Sequence, residues 1–177
     1  MELLIGVEHN LRYLNGLEQL LDKRYPDGID SLMLEMSLNT ELLVSLGIFE
    51  SYWELLAEHY RNRGANIIYG DKPIPQRLLD IATKSRGVAK SMAIAAVSDW
   101  GLLDAILTRT RDKFMVQTIQ TQDPQVVIVG RGHSDYIKRK FPSVPYIVYI
   151  GHKHSSLFLD IDYRLPDEII WANLPQQ

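Results

Sequence analysis

Five short apolar runs, at positions 3–7, 31–36, 66–69, 126–129 and 146–150, are separated by stretches with helical spacing, and this alternation narrows the possible folds most. Strands that alternate with helices pack most simply as parallel neighbours with the helices laid across the sheet. The pattern therefore predicts an α/β fold with a largely parallel, mixed central sheet flanked by helices. At 177 residues the chain suits a single domain, 1–177, with a full core.

The helical stretches carry their own signals. Leu11, Leu14, Leu17 and Leu21 follow helical spacing, and Pro26-Asp27-Gly28 ends that segment in a turn. A second helix is expected from an N-cap at Asn39 through Leu42, Leu46, Phe49, Trp53, Leu56 and Tyr60 to a stop at Gly64, with Trp53 and the leucines in the core. Further helices are expected over 76–84, 88–97 and 102–118, before Asp123-Pro124. Consecutive helices between two strands predict an inserted helical layer or lid. Leu157-Phe158-Leu159 reads as a returning strand, while Trp171 and Leu174 suit packing on the same chain or on a partner, so a homo-oligomer is possible.

Composition excludes several chemistries. Without cysteine there is no disulfide, thiolate nucleophile or thiolate metal site, which leaves His, Asp and Glu as metal ligands. A net charge of −3 provides no electrostatic basis for nucleic-acid binding, and Lys138-Arg139-Lys140 reads as a solvated helix end. Met1-Glu2-Leu3-Leu4 has no basic region before its apolar run, and the best apolar stretch, 88–107, is interrupted by Lys90, Asp99 and Asp104. The expectation is a cytoplasmic protein with neither a secretory signal nor a membrane span.

Two Gly-x-x-His tetrads, Gly6-Val7-Glu8-His9 and Gly130-Arg131-Gly132-His133, each follow an apolar run and precede a plausible N-cap, Asn10 and Ser134 respectively. Both histidines are thereby predicted at strand carboxyl ends, the edge where parallel sheets bind ligands. The glycines read as turn formers, or as sites where a ligand approaches the backbone. Glu35 follows Leu32-Met33-Leu34 at another strand end. Its carboxylate would be costly to bury unpaired, so it faces a metal, histidine or arginine, or else caps a loop or turns outward. Asp71, in Gly70-Asp71-Lys72-Pro73, supports the site or makes a turn.

Arg111 lies four residues after Leu107 and four before Met115, near an apolar stripe. An arginine there either binds an anion, with Glu35 or a substrate carboxylate or phosphate as candidates, or snorkels to solvent. Asp112 lies about 100° further round the same helix and is expected towards solvent or the helical layer. Gly151-His152-Lys153-His154 is a third tetrad, but without a following amphipathic helix it reads as an exposed turn. His59, beside Glu58 and Arg61, is expected to be solvated.

In order, Gly6-x-x-His9, Glu35, Asp71-Lys72-Pro73, Arg111-Asp112-Lys113-Phe114-Met115 and Val129-Gly130-Arg131-Gly132-His133 resemble the TraB/PrgY–TIKI family. The likeness extends to a wider superfamily with erythromycin-esterase-like and ChaN-like haem-binding proteins. It implies a site containing His9, Glu35, Arg111 and His133 on an α/β sheet covered by helices. Thr110 stands where the family usually has Glu, Glu8 within the first tetrad is unusual, and the membrane helices of longer relatives are absent.

TIKI-like members are described as metal-dependent proteases. The corresponding expectation is a hydrolase of peptide or small acyl substrates, with a divalent metal (Mn, Co or Zn) on His9, Glu35 and His133 and an open position for an activated water. Arg111 would bind an anionic substrate group or the developing oxyanion. Gly6, Glu8, Asp71, Asp112 and Gly130 would support the site. Two alternatives are a metal-independent esterase, with a histidine base oriented by Glu35, and a non-catalytic protein that binds or sequesters peptide, haem or metal.

Overall fold

The structure, a computed structural model, describes residues 1–8, 10–37, 52–74, 76–84, 86–88, 91, 110–151 and 164–172. Their strands form one six-stranded, all-parallel sheet flanked by helices. In chain order they are β1 (Leu3–Val7), β2 (Ser31–Leu34), β3 (Asn66–Tyr69), β4 (Val126–Gly130), β5 (Tyr146–Ile150) and β6 (Glu168–Trp171). Across the sheet the order is β3-β2-β4-β1-β5-β6. The antiparallel component allowed by a mixed sheet does not occur among the described strands, and β6 coincides with none of the runs expected as strands.

Burial explains why the central strands read as unbroken apolar runs. Every residue of β1, β4 and β5 is buried, because both sheet faces are covered. Alternate residues serve different cores. Leu3, Ile5 and Val7 of β1, with Val126 and Ile128 of β4, pack against helices α1 (Leu14–Arg24) and α2 (Tyr52–Asn62). Leu4 of β1, with Val127 and Val129 of β4, faces helices α4 (Thr110–Gln122) and α5 (Arg131–Lys140). Trp53, Leu56 and Tyr60 are buried in the first core, as their spacing predicts.

Chain direction accounts for these layers. From β1 the chain steps through β2 to β3 in one direction across the sheet; from β3 it returns to β4 and continues outward to β5 and β6. Right-handed crossovers in opposite directions place their helices on opposite faces. Adjacent strands β1 and β4 therefore send their onward connections to opposite faces, the arrangement that opens a binding crevice at the strand carboxyl ends of doubly wound sheets.

Several boundaries follow local chemistry. Asn10 accepts a hydrogen bond from the Arg12 amide and caps a 3-10 turn, Leu11–Tyr13, that leads into α1. Gly28 and Gly64 have φ of 101° and 93°, a left-handed conformation that suits glycine; Gly64 follows the end of α2, and Gly28 closes the turn after the C-cap of α1, Tyr25. Helix α3 covers Gln76–Lys84 as expected. Helix α4 runs to Gln122, four residues beyond its expected end, and stops before Asp123-Pro124. The expected features at Asn39, Leu42, Leu46 and Phe49, most of 88–109, and the run 157–159 lie outside the described residues. Among the described residues no helix is long and apolar enough to cross a membrane.

Candidate functional site

The β2 ladder ends at Leu34, short of the expected 36, because the chain turns there: the Glu35 amide donates to Ile128 O (3.2 Å) and the Met36 amide to Leu34 O (2.7 Å). Glu35 is thereby directed at the end of β4. Its Oε2 accepts a hydrogen bond from the Gly130 amide at 2.5 Å, and its Oε1 lies 2.8 Å from Arg111 Nη2 and 3.3 Å from His133 Nε2. The residue is only 4 % exposed. The outward-facing carboxylate does not describe it; Glu35 both pairs with Arg111 and His133 and caps the backbone where β4 turns into α5.

Helix α4 supplies two further groups from consecutive positions. Arg111 reaches the ends of β2 and β3: Asp71 accepts from its Nε at 2.9 Å and its Nη2 at 2.5 Å, while the same Nη2 donates to Glu35. Its side chain is 14 % exposed, so snorkelling does not describe it. Asp112 pairs with His133, whose Nδ1 lies 2.5 Å from Asp112 Oδ1. Of the two orientations expected for Asp112, towards solvent or towards the helical layer, the buried residue takes the second, facing His133 on α5. The rotation of about 100° between neighbours was sound, but the site flanks the first turn of α4 on two sides.

The second tetrad folds differently from its expected form. Helix α5 begins at Arg131, with Gly130 as its N-cap residue at φ −55° and ψ 145°, so His133 stands in the first helical turn. Ser134 is no N-cap. It is buried inside α5, donates to Arg131 O, and lies 2.6 Å from Tyr146 Oη, which donates to Asp135. Gly6 is a residue of β1 whose missing side chain makes room for Ser134, since a Cβ there would collide with the serine hydroxyl. Its role is close helix-to-strand packing, rather than a turn or a ligand approach.

Glu8 turns to the Gly151 amide, which donates to its Oε2 at 3.2 Å, and so joins the exits of β1 and β5. His9 lies outside the described residues, as do His152 and His154. His59 is corrected from solvated to partly buried, packed edge-on against Tyr60 with Nδ1 3.7 Å from Glu18 Oε1. A contact that the sequence did not indicate joins two of the motif residues: Lys72 Nζ donates to Thr110 Oγ1 at 3.4 Å, beside the Asp71 and Arg111 pair.

The joined groups alternate in charge: Asp112, His133, Glu35, Arg111, Asp71. Three carboxylates face one guanidinium, so a neutral imidazole leaves two negative charges uncompensated within the group. Burial pulls the His133 pKa down more strongly than any other single effect, but Glu35 and Asp112 together outweigh it and push the value up to about 10. For Arg111 burial again opposes the charge, while Asp71 and Glu35 hold its pKa above the ordinary value. Such a group is costly to bury unless every member is paired, and here each member has an oppositely charged neighbour.

Among the described residues no cluster of three or more side chains is arranged to hold a metal ion. The chain matches no protein-family model, no curated protein and no solved structure.

Proposed function

We propose that the protein is a metal-dependent hydrolase of peptide or related acyl bonds, with a divalent ion (Mn, Co or Zn) held by His9, Glu35 and His133. One observation carries the reading: the Asp112 carboxylate lies on Nδ1 of His133 while Nε2 lies 3.3 Å from Glu35 Oε1. A carboxylate on the far nitrogen is the usual support of a metal-binding imidazole. The N to O separation also fits: ligands about 2.0–2.1 Å from a tetrahedral ion stand roughly 3.4 Å apart. The excess of carboxylates favours a divalent cation. The resemblance of the ordered motifs to those of the TraB/PrgY–TIKI family supports the assignment.

A bound ion would lower the pKa of a water and polarise a carbonyl. The chain's own groups do the rest. Asp112 selects the tautomer that leaves Nε2 as the donor atom, and the Gly130 amide and Arg111 steady Glu35 from two sides. The contacts of Arg111 with Asp71 and Glu35 favour a supporting role over capture of a substrate anion. Uptake of the ion requires Nε2 to release its proton, so affinity weakens as pH is lowered.

A metal-independent hydrolase is the second reading, and the raised pKa of His133 favours a version in which the ring is a proton donor over the histidine base expected from the sequence. At neutral pH an imidazolium between two carboxylates is a proton donor rather than a base. In that case Asp112, rather than Glu35, orients the ring.

Metal content by mass spectrometry decides between them. After dialysis against trace Mn, Co and Zn, wild type should retain near-stoichiometric metal and both His9→Ala and His133→Ala should lose it. A folded wild type without metal would sink the first reading and direct work to chelator-resistant esterase assays. A Soret band in the purified protein, or stoichiometric peptide capture without turnover, would instead indicate the sequestering alternative.

A further inference from the structure

We infer that Asp71 is a positioning residue, which occupies the two-pronged edge of the Arg111 guanidinium so that Glu35 is held by a single prong beside His133. The inference deepens the proposed reading of the same site and rests on it only for its metal-affinity arm.

A guanidinium and a carboxylate prefer to pair through two parallel hydrogen bonds. Here Asp71 takes that arrangement, with Nε at 2.9 Å and Nη2 at 2.5 Å, and Glu35 receives only Nη2, at 2.8 Å. The division matters for Glu35: its Oε1 lies 3.3 Å from His133 Nε2 and its Oε2 accepts from the Gly130 amide. Were Arg111 to pair with Glu35 through both prongs, both oxygens would be drawn towards α4 and away from these partners.

Asp71 is itself firmly placed. The Gly70 amide donates to Leu34 O and the Asp71 amide to Met36 O, so the exit of β3 is bonded to backbone on either side of Glu35. The Lys72 amide donates to Asp71 Oδ1, and Lys72 Nζ to Thr110 Oγ1, immediately before Arg111. The two ends of the long excursion between β3 and α4 are thus clasped together beside Glu35. Two-point capture by a buried carboxylate removes the rotamer freedom of the arginine's terminal plane.

The experiment compares Asp71→Asn with wild type by two readouts. In metal-free protein the ring nitrogen shifts of His133, from nitrogen-detected NMR, report its contact with Glu35. In protein titrated with Zn or Mn, calorimetry reports affinity. The expected result is a displaced Nε2 signal with Nδ1 nearly unchanged, and a ten- to hundred-fold loss of metal affinity, the usual effect of removing outer support from a metal site. Wild-type ring shifts in folded Asp71→Asn would overturn the inference. Should wild type bind no metal, the metal-hydrolase reading fails, and the ring shifts still decide the role of Asp71. If Asp71→Asn does not fold, Arg111→Lys replaces it: an ammonium lacks the fork, so the same displacement of Nε2 is expected, and an unchanged spectrum overturns the inference.

Discussion

His133 lies between Asp112 and Glu35, so its protonated ring gains two anionic partners while burial penalises the same charge. With the pKa raised from the ordinary 6.5 to about 10, the stabilisation has a definite pH window. Below about 6.5 the folded and unfolded chains both carry the proton, and the contribution is fully present. Between the two values only the folded chain holds it, so stability falls as pH rises; past about 10 the contribution is gone. Urea midpoints of the metal-free protein should decline over this window more steeply in wild type than in His133→Gln, and parallel profiles would refute the charged histidine. Asp112→Asn keeps an acceptor for Nδ1 but loses the charge, so it should lower the His133 pKa, measured by NMR titration of metal-free protein; no change would remove Asp112 from the account. The residue types at this site were legible because Glu35 and Arg111 interrupt apolar patterns. The orientation of Asp112 was not, because helical phase relates neighbours to one another and says nothing of what surrounds the helix.

At the scale of elements, the contact between β1 and α5 positions the second tetrad. Gly6, buried Ser134, Tyr146 and Asp135 pack where α5 crosses the sheet, and this fixes the turn that carries His133. Gly6→Ala should cost about 1–3 kcal/mol, the usual penalty for forcing extra atoms into a packed interior, as read from chemical denaturation. An unchanged midpoint would mean that α5 has room to shift. The helices of this framework were largely readable in advance, since Leu14, Leu17 and Leu21 of α1 and Trp53, Leu56 and Tyr60 of α2 mark one buried face each. Strand β6 was missed. It is four residues long and partly exposed, and its place beside β5 is supported by the Asp167 side chain, which accepts from the Tyr146 amide and from Lys138.

At the scale of the whole molecule, the reversal of chain direction between β1 and β4 brings together residues from separate strand ends and helix starts. It places the exit of β4, with Gly130 and His133, between the exits of β2 and β1. If the site holds metal, ions at 100 times their dissociation constant should stabilise the fold by about 2.7 kcal/mol, which raises the thermal midpoint by roughly 5–10 °C for a domain of this size. His133→Ala should abolish the shift, and an equal shift in that variant would assign the binding elsewhere. The amino-acid sequence by itself determined the α/β class, most helix and strand positions, and the polar residues stationed at strand ends, because periodicity and turn chemistry are local properties. Only the tertiary structure decided that Glu35 meets the Gly130 amide, that Asp71 and Asp112 face inward, and that Ser134 packs on Gly6. Those contacts depend on strand order and on which face each crossover helix covers, and both are settled by the joint burial of two sheet faces rather than by any short stretch of chain.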